Sequence, residues 1–303
     1  MNTNVQKCLD DTMKKYDISQ NQAAKAMGYS GAVLSAYMKG TYKGNIENLE
    51  DAAVKWVART EQAHAHKKVP IIQTGDLKKM TNAIRRAHSD QDIALIVADA
   101  GSGKTTAAKC YQEENMRTTV LVNVFSGMNR KMLVIDIANQ LGIDTARVPL
   151  NLLISNVAAA LSDRNMVVVI DEADYLKPDA LEFTRRLVYD LGQSGLVLIG
   201  LPRLTAMIQN LRNDHRQLES RVGINLQLGG LQKPDAELIV HEVWPNAGKD
   251  IVDAIWDVSH TDIRQFTKII SRAENTMELN KLKEPDLDVI EVAAKLVMRR
   301  HWK

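Results

Sequence analysis

Apolar and polar positions recur at helical spacing through the first 60 residues. Ala23, Ala24 and Met27 line one side of a short helix over 20–27. Val33, Leu34 and Tyr37 line one side of a second helix that runs to about Lys39. Gly28-Tyr29-Ser30 between them reads as a turn, with Gly28 ending the first helix and Ser30 capping the second. Leu49, Ala53, Trp56 and Val57 stripe a further helix over 47–59. The stretch EQAHAHKK (61–68) has no apolar periodicity and reads as a basic linker reaching Pro70.

From about Ile71 the pattern changes. Nearly continuous apolar runs at 93–97, 119–124, 167–170 and 196–199 read as strands. Helices fit between or beside them at 104–115, 131–141, 151–162 and 179–191. Alternating strands and helices imply an α/β unit with a parallel sheet, and all-apolar strands imply a sheet covered on both faces. After about Gln232 the strands stop, and 235–243, 249–258, 263–277 and 286–300 read as helices. The expected organisation is an all-α helix-turn-helix domain over 1–60, a linker over 61–70, an α/β core over 71–232 and a small helical domain over 233–303.

A chain of 303 residues suits two or three domains of ordinary size. Its 45% hydrophobic and 25% charged residues exclude wholesale disorder and fibrous repeats. Cys8 and Cys110 stand alone, with no metal-ligand spacing, which suits a reducing cytoplasm. No apolar run approaches the roughly 20 residues of a membrane span, so no membrane partner is expected. Net charge is only +2, so any nucleic-acid footprint must be local. Residues 1–70 carry a small excess of lysine and arginine, and 295–303 hold four cations and no acid.

The sharpest chemistry is ADAGSGKT at 98–105, between an apolar run and a helix. It fits the phosphate-loop pattern at Gly103, Lys104 and Thr105, with Ala98 in place of the first glycine. Backbone N–H groups of Ala100, Gly101, Ser102, Gly103, Lys104, Thr105 and Thr106 can wrap phosphates at a helix N-terminus. Lys104 would reach the β- and γ-phosphates and Thr105 would hold Mg²⁺. The run MVVVIDEAD (166–174) ends a strand in Asp171, whose carboxylate near that loop would bind Mg²⁺ through water, and Glu172 would orient and polarise the attacking water. The letters DEAD also occur in RNA helicases, but the other helicase blocks are missing.

The core resembles an AAA+ ATPase, and the whole arrangement resembles the B transposition protein family of bacteriophage Mu. The resemblance is carried by ISQNQAAKAMGYSGAVLSAYMKG, IALIVADAGSGKTTAAKCY, VVVIDEADYL, SGLVLIG and DIRQFTKII. It implies three further roles. Leu201 stands where such proteins keep a polar sensor, a departure that implies slow hydrolysis or another residue in that role. Arg221 resembles an arginine finger given to a neighbouring subunit, with Arg216 as its competitor. Arg264 resembles the lid sensor of bound nucleotide.

Three surfaces could meet DNA. Ser30, Ser35 and Lys39 of the second helix offer phosphate contacts with little base reading. Arg130 and Lys131 follow the second strand, where DNA-wrapping ATPases place channel loops. Lys295, Arg299 and Arg300 form a basic C-terminal patch. The resemblance implies an ATP- and Mg²⁺-dependent protein that polymerises head-to-tail on double-stranded target DNA, delivers it to a transposase and disassembles on hydrolysis in the bacterial cytoplasm. The alternatives are a nucleotide-regulated helix-turn-helix transcription regulator and a loader ATPase.

Overall fold

The computed structural model describes residues 2–64, 69–209 and 216–297. The chain divides into two units: residues up to Val69 with Ser271–Lys283, and Pro70–Ile270 with Glu284 onward. The C-terminal helices therefore do not stand as a unit of their own over 233–303.

The N-terminal unit begins with α1 (Thr3–Lys15), α2 (Gln20–Ala26), α3 (Gly31–Met38) and α4 (Ile46–His64). α4 runs beyond the expected helix into the stretch read as linker. Each start is chemically marked. Ser19 and Gln22 form a reciprocal capping box on α2, and the Ser30 hydroxyl accepts from Val33 N at the start of α3. Leu9 of α1, Ala23 and Ala24 of α2, Leu34 and Tyr37 of α3, and Leu49 and Ala53 of α4 are buried in one core. The two alanines let α2 and α3 approach closely. Tyr37 donates its hydroxyl to Glu50 at 3.0 Å, so its polar tip is satisfied within this core.

The second unit holds a five-stranded parallel sheet in the order β2-β3-β4-β1-β5. Its strands are β1 (Ile93–Ala98), β2 (Thr119–Asn123), β3 (Val167–Asp171), β4 (Gly195–Gly200) and β5 (Val222–Leu228). Successive residues of β1 point to opposite faces. Ile93, Leu95 and Val97 join a core with helices α7 (Arg130–Gln140), α8 (Leu150–Ser162) and α9 (Pro178–Arg185). Ala94 and Ile96 join another with α5 (Gly75–Asp90) and α6 (Lys104–Glu114). This explains why four strands read as continuous apolar runs.

Several elements were not expected. β5 is an edge strand that alternates half-buried and exposed positions. α5 precedes β1, with Leu77, Met80, Ala83, Ile84 and Ala87 on its buried face. A short α10 (Pro202–Gln209) follows β4, and α11 (Arg216–Glu219) precedes β5. The helix expected over 179–191 is α9 followed by π-type turns over Arg186–Leu191. The unit closes with α12 (Lys233–Val243), α13 (Lys249–Ser259), the start of α14 (Ile263–Asn280) and α15 (Leu287–Val297). Among the described residues no helix is long and apolar enough to cross a membrane.

Candidate nucleotide site

The loop between β1 and α6 turns twice through left-handed backbone, at Gly101 (φ +80°) and Gly103 (φ +86°). Both positions favour glycine, and Gly103 is the residue from which α6 starts. Ala98 needs no such freedom, because it is the last, buried residue of an extended strand. The missing first glycine of the motif therefore costs the backbone nothing.

Lys104 folds back over this loop. Its Nζ donates to Ala98 O at 2.8 Å, to Asp99 O at 2.7 Å and to Ser102 Oγ at 3.3 Å. Burial pulls its pKa below the ordinary lysine value. The charges of Asp171, Asp174 and Asp99 oppose that fall, and Arg264 adds to it. A cation part-buried and surrounded by carbonyl oxygens is a fit receptor for an anion.

Thr105 sits one residue further along α6 and donates its hydroxyl to Asp171 Oδ2 at 2.6 Å. The β3 carboxylate and the α6 hydroxyl thus meet at the rim formed by the C-terminal ends of the strands. Asp171 is buried, and its other oxygen accepts from Glu172 N at 3.0 Å. Glu172 is exposed and left-handed, with φ +56°, a strained setting for a residue with a Cβ. One hydroxyl and one carboxylate suit Mg²⁺, which keeps several waters and takes other ligands from phosphate.

Two acidic residues shape the surroundings. Asp174 accepts from Leu201 N at 3.1 Å and from Arg203 Nε and Nη2, both at 2.6 Å. It ties the turn after β3 to the end of β4, where the apolar Leu201 contributes only its backbone. A Cβ on Gly200 would lie 2.7 Å from Asp174 Oδ1, so the approach requires glycine. Asp262 accepts from Arg264 N and Gln265 N at the start of α14 and lies against Gly101. The lid thereby touches the phosphate loop. Arg264 beside it is exposed.

Residues 85–208 match a family described as an AAA domain. The chain carries an AAA domain. Transposition protein B of the Mu-like prophage FluMu from Haemophilus influenzae is 27% identical over 232 residues. That match spans 75% of this chain and 80% of the relative. The ATP-dependent target DNA activator B of Escherichia phage Mu is 25% identical over 247 residues, 78% of this chain and 77% of the relative. The chain is thus a homologue of the Mu B proteins. Among solved structures, the Aeropyrum pernix ORC2 protein in its ADPNP-ADP complexes gives a TM-score of 0.59 at 17% identity. That alignment covers 77% of this chain and 71% of that one. ORC1 of the same organism, solved in complex with DNA, gives 0.58 at 17% identity, over 76% and 67%. At such identity the likeness shows the fold alone.

Around this AAA domain the other candidates are scattered. Arg221 precedes β5, is half-exposed and pairs with Asp190. The side chain of Arg216 lies outside the described residues. Arg130 pairs with Asp179 at 2.9 Å and lies over Phe183, whereas Lys131 is exposed. Lys295 pairs with Glu291 at 2.5 Å, and Arg299 and Arg300 lie outside the described residues. In the N-terminal unit Lys39 is exposed, Ser35 is half-buried and Ser30 is engaged as a cap. Sequence reasoning missed Asp174, Asp262 and Asp190. The fourth letter of DEAD was the one signal that could have marked Asp174.

Proposed function

We propose that this protein is an ATP-dependent transposition helper that binds duplex target DNA, delivers it to a transposase and hydrolyses ATP slowly. The observation that carries the reading is the convergence of Lys104, Thr105 and Asp171 at one rim of an AAA domain. Relatives named as ATP-dependent target DNA activators support it.

In this reading Lys104 exchanges its loop carbonyls for the β- and γ-phosphate oxygens. The N–H groups of Ala100 to Thr106 wrap the phosphates with help from the start of α6. Thr105 and Asp171 would hold Mg²⁺, which when bound would neutralise charge on the phosphates. Glu172 accepts a proton from, and orients, the attacking water. Arg264 senses the nucleotide from the lid, and Arg221 is presented to the nucleotide of a neighbouring subunit. Head-to-tail contacts of that kind build an open helical filament when they do not close into a ring.

DNA contact falls to Ser30, Ser35 and Lys39 of the N-terminal unit, to Arg130 and Lys131, and to the basic C-terminal residues from Lys295. Arg130 and Lys295 are held by exposed ion pairs. Such exposed pairs are screened by solvent and weak, so a phosphate can displace the carboxylates readily. Weak contacts add up along an assembly, which gives affinity without sequence choice.

The test is electron microscopy of the protein on long duplex DNA without nucleotide, with ADP and with ATP. Continuous assemblies are expected only with the triphosphate and not with Lys104→Ala. Assemblies that survive that substitution, or DNA binding indifferent to nucleotide, sink the reading. Discrete particles at particular sites would point to a transcription regulator instead.

A further inference from the structure

A four-residue network lies behind Arg221. Arg185, the last residue of α9, is only 1% exposed. Its Nε and Nη2 donate to Glu182 Oε1 at 2.9 and 2.6 Å, and its Nη1 donates to Asp190 Oδ2 at 2.5 Å. The second oxygen of Asp190 accepts from Arg221 Nη1. The Arg221 guanidinium also lies over the Tyr189 ring, 5.8 Å from its centre. One carboxylate therefore grips a fixed, buried cation with one oxygen and a half-exposed cation with the other.

The local backbone makes this possible. In an α-helix, residues five apart point about 140° away from each other. Here the chain makes π-type turns, with Gly192 N bonded back to Leu187 O at 3.0 Å. The wider turn brings Asp190 under Arg185, five residues earlier. Turns of this kind concentrate at functional sites, because they cost helix regularity. Within the network two cations meet two carboxylates, and Asp190 serves both arginines.

We propose that Asp190, braced by Arg185 and the π-type turns, is a positioning residue that fixes the Arg221 guanidinium for presentation to a neighbouring subunit's ATP. This rests on the reading of Arg221 as an arginine acting in trans. The exposed Arg221–Asp190 pair adds little stability. Its aim matters more: a misplacement of about 1 Å in a catalytic constellation can cost on the order of a hundredfold in rate.

The test uses mixed assemblies of the full chain on long duplex DNA, read by phosphate release. Arg221→Ala protein keeps its nucleotide site, and Glu172→Gln protein keeps the arginine and still binds nucleotide. Mixed, they should hydrolyse ATP; apart, they should not. The donor is then changed to Glu172→Gln with Asp190→Asn, or with Asp190→Glu. The glutamate keeps the negative charge, so the network stays balanced, but displaces the carboxylate by one methylene. The Asp190→Glu donor should melt like the parent donor, and the Asp190→Asn donor, which takes a carboxylate from the buried Arg185, should melt lower. Both should leave KM for ATP unchanged while kcat falls about tenfold or more. Full rescue by the Asp190→Glu donor overturns the inference and leaves the trans reading standing. An inactive first mixture overturns the trans reading and the inference with it.

Discussion

The Thr105 hydroxyl donates to Asp171 Oδ2 at 2.6 Å, joining the first turn of α6 to the end of β3. Two oxygens from two elements are thus held ready beside the phosphate loop. Asp171→Asn should lower kcat for ATP about a hundredfold or more, because a metal's charge stabilisation is worth several kcal/mol. Thr105→Ser should retain activity and Thr105→Ala should not. Single-turnover phosphate release, with nucleotide binding measured separately, decides this; normal turnover by Asp171→Asn removes the metal role.

Gly101 carries two constraints that a double substitution separates. Its φ of +80° disfavours any Cβ, and Asp262 occupies the space a Cβ would need. Gly101→Ala should cost about 1–2 kcal/mol from the backbone alone, and more from the contact. Adding Asp262→Ala should restore the contact part and leave the backbone part. Melting temperatures and ADP affinities of the two proteins give the comparison. Identical values for the single and double variants would mean that the lid does not press on the loop.

Asp174 is expected to hold Leu201 and Arg203 against the site. Asp174→Ala frees the Leu201 N–H and the Arg203 guanidinium together. Loss of a hydrogen bond to a charged group costs about 1.5–3 kcal/mol, which denaturant unfolding can detect. Hydrolysis should fall further than ATP binding, because the end of β4 borders the phosphate site. A variant with wild-type stability and turnover would show that the tie is dispensable.

Nucleotide affinity should fall at alkaline pH, and it should fall early. Burial holds Lys104 below the ordinary lysine value of 10.5 in the free protein. Its proton therefore leaves in a window beneath that value, and the charged form that grips phosphate is depleted there. Affinity is full below the window and declines as pH rises through it. ADP titrations across pH test this, with Lys104→Arg as the control whose charge persists. A profile equally steep for Lys104→Arg would assign the pH dependence to another group.

The central strands were legible because burial on both faces strips polar letters from them, as in VVVI of β3 and LVLI of β4. β5 was not, because Gly223, Asn225 and Gln227 occupy its exposed positions and dilute the apolar signal. α5 carries a regular apolar stripe but precedes the first apolar run, outside the alternation of strands and helices. The grouping of Ser271–Lys283 with the N-terminal unit depends on contacts that local periodicity does not encode. Lys104, Thr105 and Asp171 were readable because phosphate chemistry demands those residues at fixed spacings. Asp174 with Arg203, Asp262 with Gly101 and Asp190 with Arg221 were not, since each pair is assembled by the fold from distant segments.

Ala98 ends β1 in extended backbone, and the left-handed turns come only at Gly101 and Gly103. The conventional spelling of the phosphate loop begins with a glycine that this geometry does not use. Chains that spell it with another small residue are open to the same chemistry. A genome search keyed to the first letter would pass them by, whereas one keyed to the two left-handed positions and the lysine would gather them in.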